Sequence, residues 1–225
     1  MPMKDQIERR SFLLPFRCHY LLRKPERPSP SAFFIVALHG HAMTAEQMLW
    51  LTVPLVGEEH YTAALQGPYQ IWVNRNGEPR ADVAFHWATR FEPEHSWRLH
   101  HDMILTVIAE MGASAEHVVL VGFSQSVALN YRFLCTHPNA VRGAIAICGG
   151  IPGDWERRPY QHSPAAVLHI AAREDEYYPP AVAETFPERL RARIPDLEFH
   201  MLDGGHRIPT AARPIMQAWL ARLRR

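Results

Sequence analysis

The chain has 225 residues, 47% of them hydrophobic, with 24 Lys and Arg against 23 Asp and Glu for a net charge of +1. That length fits one α/β domain with a sizeable core, and the near-neutral balance removes any electrostatic reason to expect nucleic acid or an acidic membrane as partner. Three cysteines, an odd number with no metal-site or CxxC spacing, together with a polar N-terminus lacking a signal-peptide core, point to a reducing, cytoplasmic setting. No apolar stretch approaches the roughly 20 residues of a membrane span.

In chain order, residues 1–11 read as a loose terminus and Arg17 to Leu22 as an early strand, closed by the proline-rich turn 24–30. Phe33 to Leu38 is a continuous apolar run, the pattern of a strand buried on both faces of a parallel sheet. It ends at His39-Gly40-His41, after which Thr44 is placed to cap a helix through Gln47, Met48 and Leu51. Tyr61 to Leu65 is a second short strand, stopped by Gln66-Gly67-Pro68. The segment from Tyr69 to Trp97 scatters six aromatics among Gly, Pro, Asn and Arg without a steady period. It reads as a long loop or lid, or as an irregular segment whose aromatics pin it to the core.

Leu99 to Met111 has helical periodicity, and His117 to Gly122 is another buried-strand run. A helix follows through Leu129, Tyr131, Phe133 and Leu134. Gly143 to Cys148, Ala165 to Ile170 and Leu197 to Leu202 read as three further strands. Between the last two, Ala181 to Ile194 reads as a helix broken or kinked at Pro187. Ile208 to Leu223 is a closing helix with a late start or a kink at Pro214, and the basic end from Arg222 reads as its solvated terminus. Repeated strand–helix alternation argues for an α/β class, a mostly parallel sheet with helices on both faces, over the whole chain 1–225 as a single domain.

In such sheets chemistry gathers beyond the carboxyl ends of the strands. Three ends carry suitable groups, in the order Ser, Asp, His. Gly122-Phe-Ser124-Gln-Ser126 follows a buried strand and opens a helix, as a G-x-S-x-G nucleophile elbow does, with Ser126 in place of the last glycine. Ser124 is the expected nucleophile and Ser126, inside the helix, its rival. Glu174-Asp175-Glu176 follows the strand ending at Ile170. Asp175 is the expected acid, the two glutamates are expected to be exposed, and Asp154 is the runner-up. His206 lies on the loop Asp203-Gly-Gly-His206 after the last strand and is the expected base, singled out from 14 histidines only by its pairing with an upstream Ser and Asp.

The ordered set Leu38-His-Gly40, Gln66-Gly-Pro68, Gly122-Phe-Ser-Gln125, Asp175 before Pro179, and Gly205-His206 resembles the phospholipase/carboxylesterase family of α/β-hydrolases, which includes the acyl-protein thioesterases. The likeness runs from about Phe33 onward. It implies an α/β-hydrolase three-layer sandwich and hydrolysis of an ester or thioester through an acyl-enzyme. It also implies an oxyanion hole from the backbone N–H groups of His41 and Gln125, with no metal or cofactor. The chain departs from the family pattern at His41, usually apolar, at Ala171-Ala172, usually His-Gly, and at Ser126 and Val127, usually Gly. Met43, Trp72, Trp87 and Tyr177 are candidates for the substrate pocket, and the aromatic segment favours an apolar acyl or aryl group. A small-molecule ester or thioester is the expected partner. A non-catalytic module on the same fold, a short-chain lipase and a peptidase are the alternatives. The sequence carries no sign of oligomeric state.

Overall fold

The computed structural model describes residues 8–27, 29–74 and 82–224. Its centre is a seven-stranded sheet in the order β1-β3-β2-β6-β7-β8-β9. The strands are β1 (Tyr20–Arg23), β2 (Phe34–Leu38), β3 (Tyr61–Leu65), β6 (Val118–Phe123), β7 (Gly143–Ile147), β8 (Ala166–Ala172) and β9 (Leu197–Leu202). β1 runs antiparallel to β3, and every other pairing is parallel. The apolar runs explain this placement. β2, β6, β7 and β8 are buried at every residue, as parallel strands covered on both faces must be.

Successive residues of each strand face opposite sides and feed two cores. Val36, Leu38, Leu120, Ala144 and Val167 pack with Ile104, Tyr131, Phe133 and Phe186. Those partners come from α2 (Pro93–Glu110), α3 (Gln125–Thr136) and α5 (Phe186–Arg191). Ile35, Ala37, Val121, Ile145, Leu168 and Ile170 pack on the other face with Met48, Leu55, Met216 and Trp219, from α1 (Ala45–Val56) and α6 (Arg213–Leu223). Each fully buried Val, Leu or Ile contributes about 1.5–3 kcal/mol relative to exposure, so the alternation itself selects the three-layer arrangement.

The ends of these elements follow local chemistry. Thr44 caps α1 through a capping box: its hydroxyl accepts from the Gln47 N–H, and the Gln47 side chain accepts from the Thr44 N–H. The helix expected over 181–194 is two short pieces, α4 (Pro180–Ala183) and α5, the break falling just before Pro187. A single 3-10 turn at Thr210–Ala212 precedes α6, so the closing helix starts late, with Pro214 in its first turn where a missing N–H costs nothing.

The segment expected as a long loop or lid over 69–97 differs most. Tyr69–Val73 (β4) and Asp82–His86 (β5) form a separate two-stranded antiparallel sheet, and α2 begins at Pro93, inside the expected loop. Part of that expectation, 75–81, lies outside the described residues, as does the loose terminus over 1–7; residues 8–11 are exposed and without regular structure. Among the described residues no helix is long and apolar enough to cross a membrane.

Register brings the strand ends together. Leu38 pairs with Leu65 and with Gly122, Phe123 with Ile147, Ile147 with Ile170, and Ala172 with Leu202. The segments that follow these residues therefore leave the sheet along one edge. They are the His39-Gly-His41 loop, Gln66-Gly67, Ser124, Cys148, Asp175 and His206.

Candidate active site

Ser124 sits between the last residue of β6 and the first of α3. Its backbone has φ 54° and ψ −112°, a region that costs a residue with a Cβ about 1–3 kcal/mol. The turn is tight enough that neighbours must be small. A Cβ on Gly122 would lie 2.5 Å from the Asn130 amide, and one on Gly149 would lie 2.3 Å from the Val127 Cβ and 2.7 Å from the Ser124 carbonyl. The Ser124 N–H donates to the Ile147 carbonyl at 3.0 Å, which extends the sheet and fixes the start of the turn.

The three expected residues meet. The Ser124 hydroxyl is 2.8 Å from His206 Nε2, and His206 Nδ1 is 2.9 Å from Asp175 Oδ2. With the carboxylate accepting from Nδ1–H, Nε2 is left to accept the Ser124 proton. Asp175 is 2% exposed. Its second oxygen accepts the N–H groups of Tyr177 and Tyr178, each at 2.9 Å, so its orientation is set by the turn into α4. The Glu174 N–H donates to the Gly204 carbonyl and the Arg173 N–H to that of Leu202, which joins the acid loop to the glycine-rich loop of His206. Gly204 needs its φ of +120° for that loop to fold back. Glu174 and Glu176 are exposed.

Neither rival is in the line. Ser126 is fully buried, accepts from the Phe123 N–H at 3.0 Å and lies 2.8 Å from the Leu38 carbonyl. It ties the turn to the end of β2, which accounts for a hydroxyl where the resembling family has glycine. Val127 packs against Gly149, so its bulk is matched by a missing one. Asp154 is taken by Arg132 at 2.7 Å and Arg158 at 2.9 Å. Ala171 and Ala172 end β8 and are buried.

The histidines of the His-Gly loop do different things. His39 is fully buried, and burial lowers its pKa to about 4, so the ring is neutral. Its Nδ1 lies 2.7 Å from the Gly40 carbonyl and its Nε2 accepts the Gly67 N–H at 2.9 Å, which joins the ends of β2 and β3. Gly40 has no room for a Cβ, which would fall 2.7 Å from the Phe123 ring, and that ring is 5.2 Å from His206. His41 is exposed, its ring 5.4 Å from that of His86. Partial burial, then His86, lowers its pKa. Among the described residues the His41 N–H has no backbone acceptor, and the Gln125 N–H, first in α3, has none within its helix.

The pocket candidates separate. Tyr177 is 68% exposed with its ring 4.6 Å from His206. Met43 is half-buried and bridges to Phe85. Trp72 is exposed on β4, opposite Val83. Trp87 is corrected: it is fully buried, and its indole N–H donates to the His39 carbonyl at 2.8 Å, so it braces the site from inside the core and offers no surface to a substrate.

Two features escaped the sequence reading. Phe85 to Trp87, leaving β5, bonds to both the His41 loop and Gln125. Cys148, at φ 44°, is buried and donates to the Arg207 carbonyl at 3.3 Å. Burial first, then Asp175, pushes its thiol up to about 12, so it is a neutral neighbour of the acid. Among the described residues no group of three His, Cys, Asp or Glu is placed to hold a metal ion.

Chemically, the arrangement holds a hydroxyl against an imidazole oriented by a buried carboxylate, at a helix N-terminus that favours negative charge.

The phospholipase/carboxylesterase family matches residues 94–223. Among solved structures, a Bacillus cereus carboxylesterase superposes with a TM-score of 0.72 at 16% identity, over 92% of this chain and 94% of the other. Esterase PE8 gives 0.74 at 19% identity, over 92% and 99%. Arabidopsis thaliana SOBER1 gives 0.68 at 18% identity, over 86% and 100%. These likenesses establish the fold. No curated protein matches the sequence.

Proposed function

The chain belongs to the phospholipase/carboxylesterase family, and from that premise we propose that it is a serine hydrolase cleaving carboxylic ester or thioester bonds through an acyl-enzyme. The observation that carries this reading is the unbroken line Ser124 Oγ, His206 Nε2, His206 Nδ1, Asp175 at 2.8 and 2.9 Å, with Ser124 on a strained turn. His206 takes the Ser124 proton as Oγ attacks the carbonyl carbon. The oxyanion is met by the main-chain N–H groups of His41 and Gln125, and Asp175 offsets the imidazolium charge. His206 returns the proton to the leaving alcohol or thiol. Water, deprotonated by the same imidazole, then attacks the acyl carbon, and His206 returns that proton to Ser124 Oγ as the acid leaves. No metal or organic cofactor enters this sequence of steps.

The substrate is a small molecule with an apolar acyl or aryl group, which Met43 and the Tyr177 ring flank. On this reading the domain works in the cytoplasm, where Cys135 and Cys148, free and buried, would stay reduced.

A fluorophosphonate probe, followed by peptide mass spectrometry, tests the reading. Labelling is expected on Ser124 and lost in Ser124→Ala and His206→Ala. Folded protein that takes no label would overturn it and favour a non-catalytic module on the same fold.

A further inference from the structure

We propose that Phe85 to Trp87 is a positioning clamp that holds the two oxyanion amides in register, with the Gln125 side chain as its link. The proposal rests on the serine-hydrolase reading above, because it concerns the donors that reading assigns.

Those donors come from separate segments, one in the loop after β2 and one at the first residue of α3. A short stretch of chain from the β4–β5 hairpin grips both. On one side, the Ala42 N–H donates to the Phe85 carbonyl and the Phe85 N–H to the Met43 carbonyl, each at 3.0 Å. This is a two-residue antiparallel bridge that holds Ala42 at φ 59°, immediately after His41. On the other side, the Trp87 N–H donates to the Gln125 side-chain carbonyl at 2.8 Å. Between them the indole N–H of Trp87 donates to the His39 carbonyl at 2.8 Å. Its ring lies 5.0 Å from that of His39 and edge-on to His100 at 5.4 Å. The stretch cannot back away toward β3 either. Gly67 approaches so closely that a Cβ there would sit 2.8 Å from the His86 carbonyl.

Oxyanion stabilisation requires donors placed before charge develops, within about 2.7–3.1 Å of the incoming oxygen. A displacement of about 1 Å can cost about 100-fold in rate. Gln125 therefore has two separable duties. Its main-chain N–H faces the oxyanion, and its side chain fixes the segment that fixes the other donor. A side-chain substitution leaves the main-chain donor in place and removes only the link.

Gln125→Met removes the acceptor, and Gln125→Glu keeps one. In steady-state ester hydrolysis Gln125→Met is expected to lower kcat about 10- to 100-fold with KM within about threefold of wild type. Gln125→Glu is expected to recover most of the loss. A second measurement needs no turnover: the backbone amide resonance of His41, on the other loop, should shift in Gln125→Met and return toward its wild-type position in Gln125→Glu. An unchanged kcat in a hydrolysing enzyme, or an unmoved His41 amide, overturns the clamp. Wild-type protein that hydrolyses no ester sinks the hydrolase reading instead, and the His41 amide then decides the clamp by itself.

Discussion

Residues 94–223 and residues 29–93 build opposite ends of the same sheet edge by different means. In the later region each proposed catalytic side chain is bolted to a strand end. Ser124 follows β6, Asp175 lies three residues after β8, and His206 four after β9. Main-chain bonds then join the acid loop to the histidine loop. In the earlier region the assigned donor is a main-chain N–H at His41. Its position depends on contacts with a hairpin that is not part of the main sheet. The difference teaches where tolerance should lie. The later region should fail outright when a side chain is removed, whereas the earlier one should fail by degrees as its supports are loosened.

The sharpest way to break that contrast is to remove the side chains. Ser124→Ala and His206→Ala should each lower kcat about 10⁴-fold or more, and the double variant should be little worse than either, because the groups act as a unit. Asp175→Asn should cost about 10⁴-fold, since an amide at that position favours the wrong imidazole tautomer. Initial rates on a chromogenic ester, with folding checked by circular dichroism, decide these. A Ser124→Ala protein retaining a tenth of wild-type activity would remove the basis of the contrast.

The same contrast separates what the sequence disclosed from what it concealed. The Ser and Asp were legible because each follows a largely apolar run, Val118–Phe123 or Ala166–Ala172, that marks a buried strand, whereas His206, after the half-buried Leu197–Leu202, was legible only through its pairing with them. Small residues at Gly122 and Gly204 mark where chain approaches chain or folds back. Thr44 was legible as a cap because its partner Gln47 stands three residues on. The hairpin was hidden because β4 and β5 alternate only loosely and stay partly exposed, and they pair with each other and not with the main sheet. Trp87 misled for a related reason. An aromatic in an irregular segment reads equally as pocket or core, and only its bond to the His39 carbonyl decides for core.

The next effect is on stability against pH, and it spans both regions. His39 in the earlier and His169 in the later are fully buried, and burial lowers each pKa to about 4. Unfolded, each titrates near about 6.5. Between those values the unfolded chain binds the extra protons. Stability is therefore fully present above about pH 6.5 and falls as pH drops toward 4, by about 1.4 kcal/mol per pH unit for each such histidine. Urea unfolding at intervals from pH 7 to 5, above the range where carboxylates dominate, measures the slope. A flat profile would mean that these rings take up protons as readily in the folded protein as in the unfolded chain.

Ser126 tests the seam between the regions, since it joins the nucleophile turn to the end of β2. Ser126→Ala leaves the Phe123 N–H and the Leu38 carbonyl without their partner at the buried turn. The expected cost is about 1–3 kcal/mol, with activity reduced and not abolished. Chemical denaturation and kcat read side by side check it. Loss of activity as complete as in Ser124→Ala, in a stably folded protein, would reinstate Ser126 as the nucleophile.

The smallest expected effect does most to sharpen the comparison. Thr44 stands three residues after His41 and caps α1, so the His41 loop has a support on the helix side as well as on the hairpin side. Thr44→Ala removes the hydroxyl that accepts the Gln47 N–H and should cost about 1 kcal/mol, a fall in Tm of about 2–4 °C for a chain of this size. It leaves the bridge from Ala42 and Met43 to Phe85 untouched, and the Ala45 N–H keeps its acceptor on the Gln66 side chain. If the hairpin is what positions the donor, kcat stays within about twofold of wild type while Tm drops. If kcat falls as far as in Gln125→Met, any loosening of the loop suffices, and the hairpin has no special claim on the oxyanion amides.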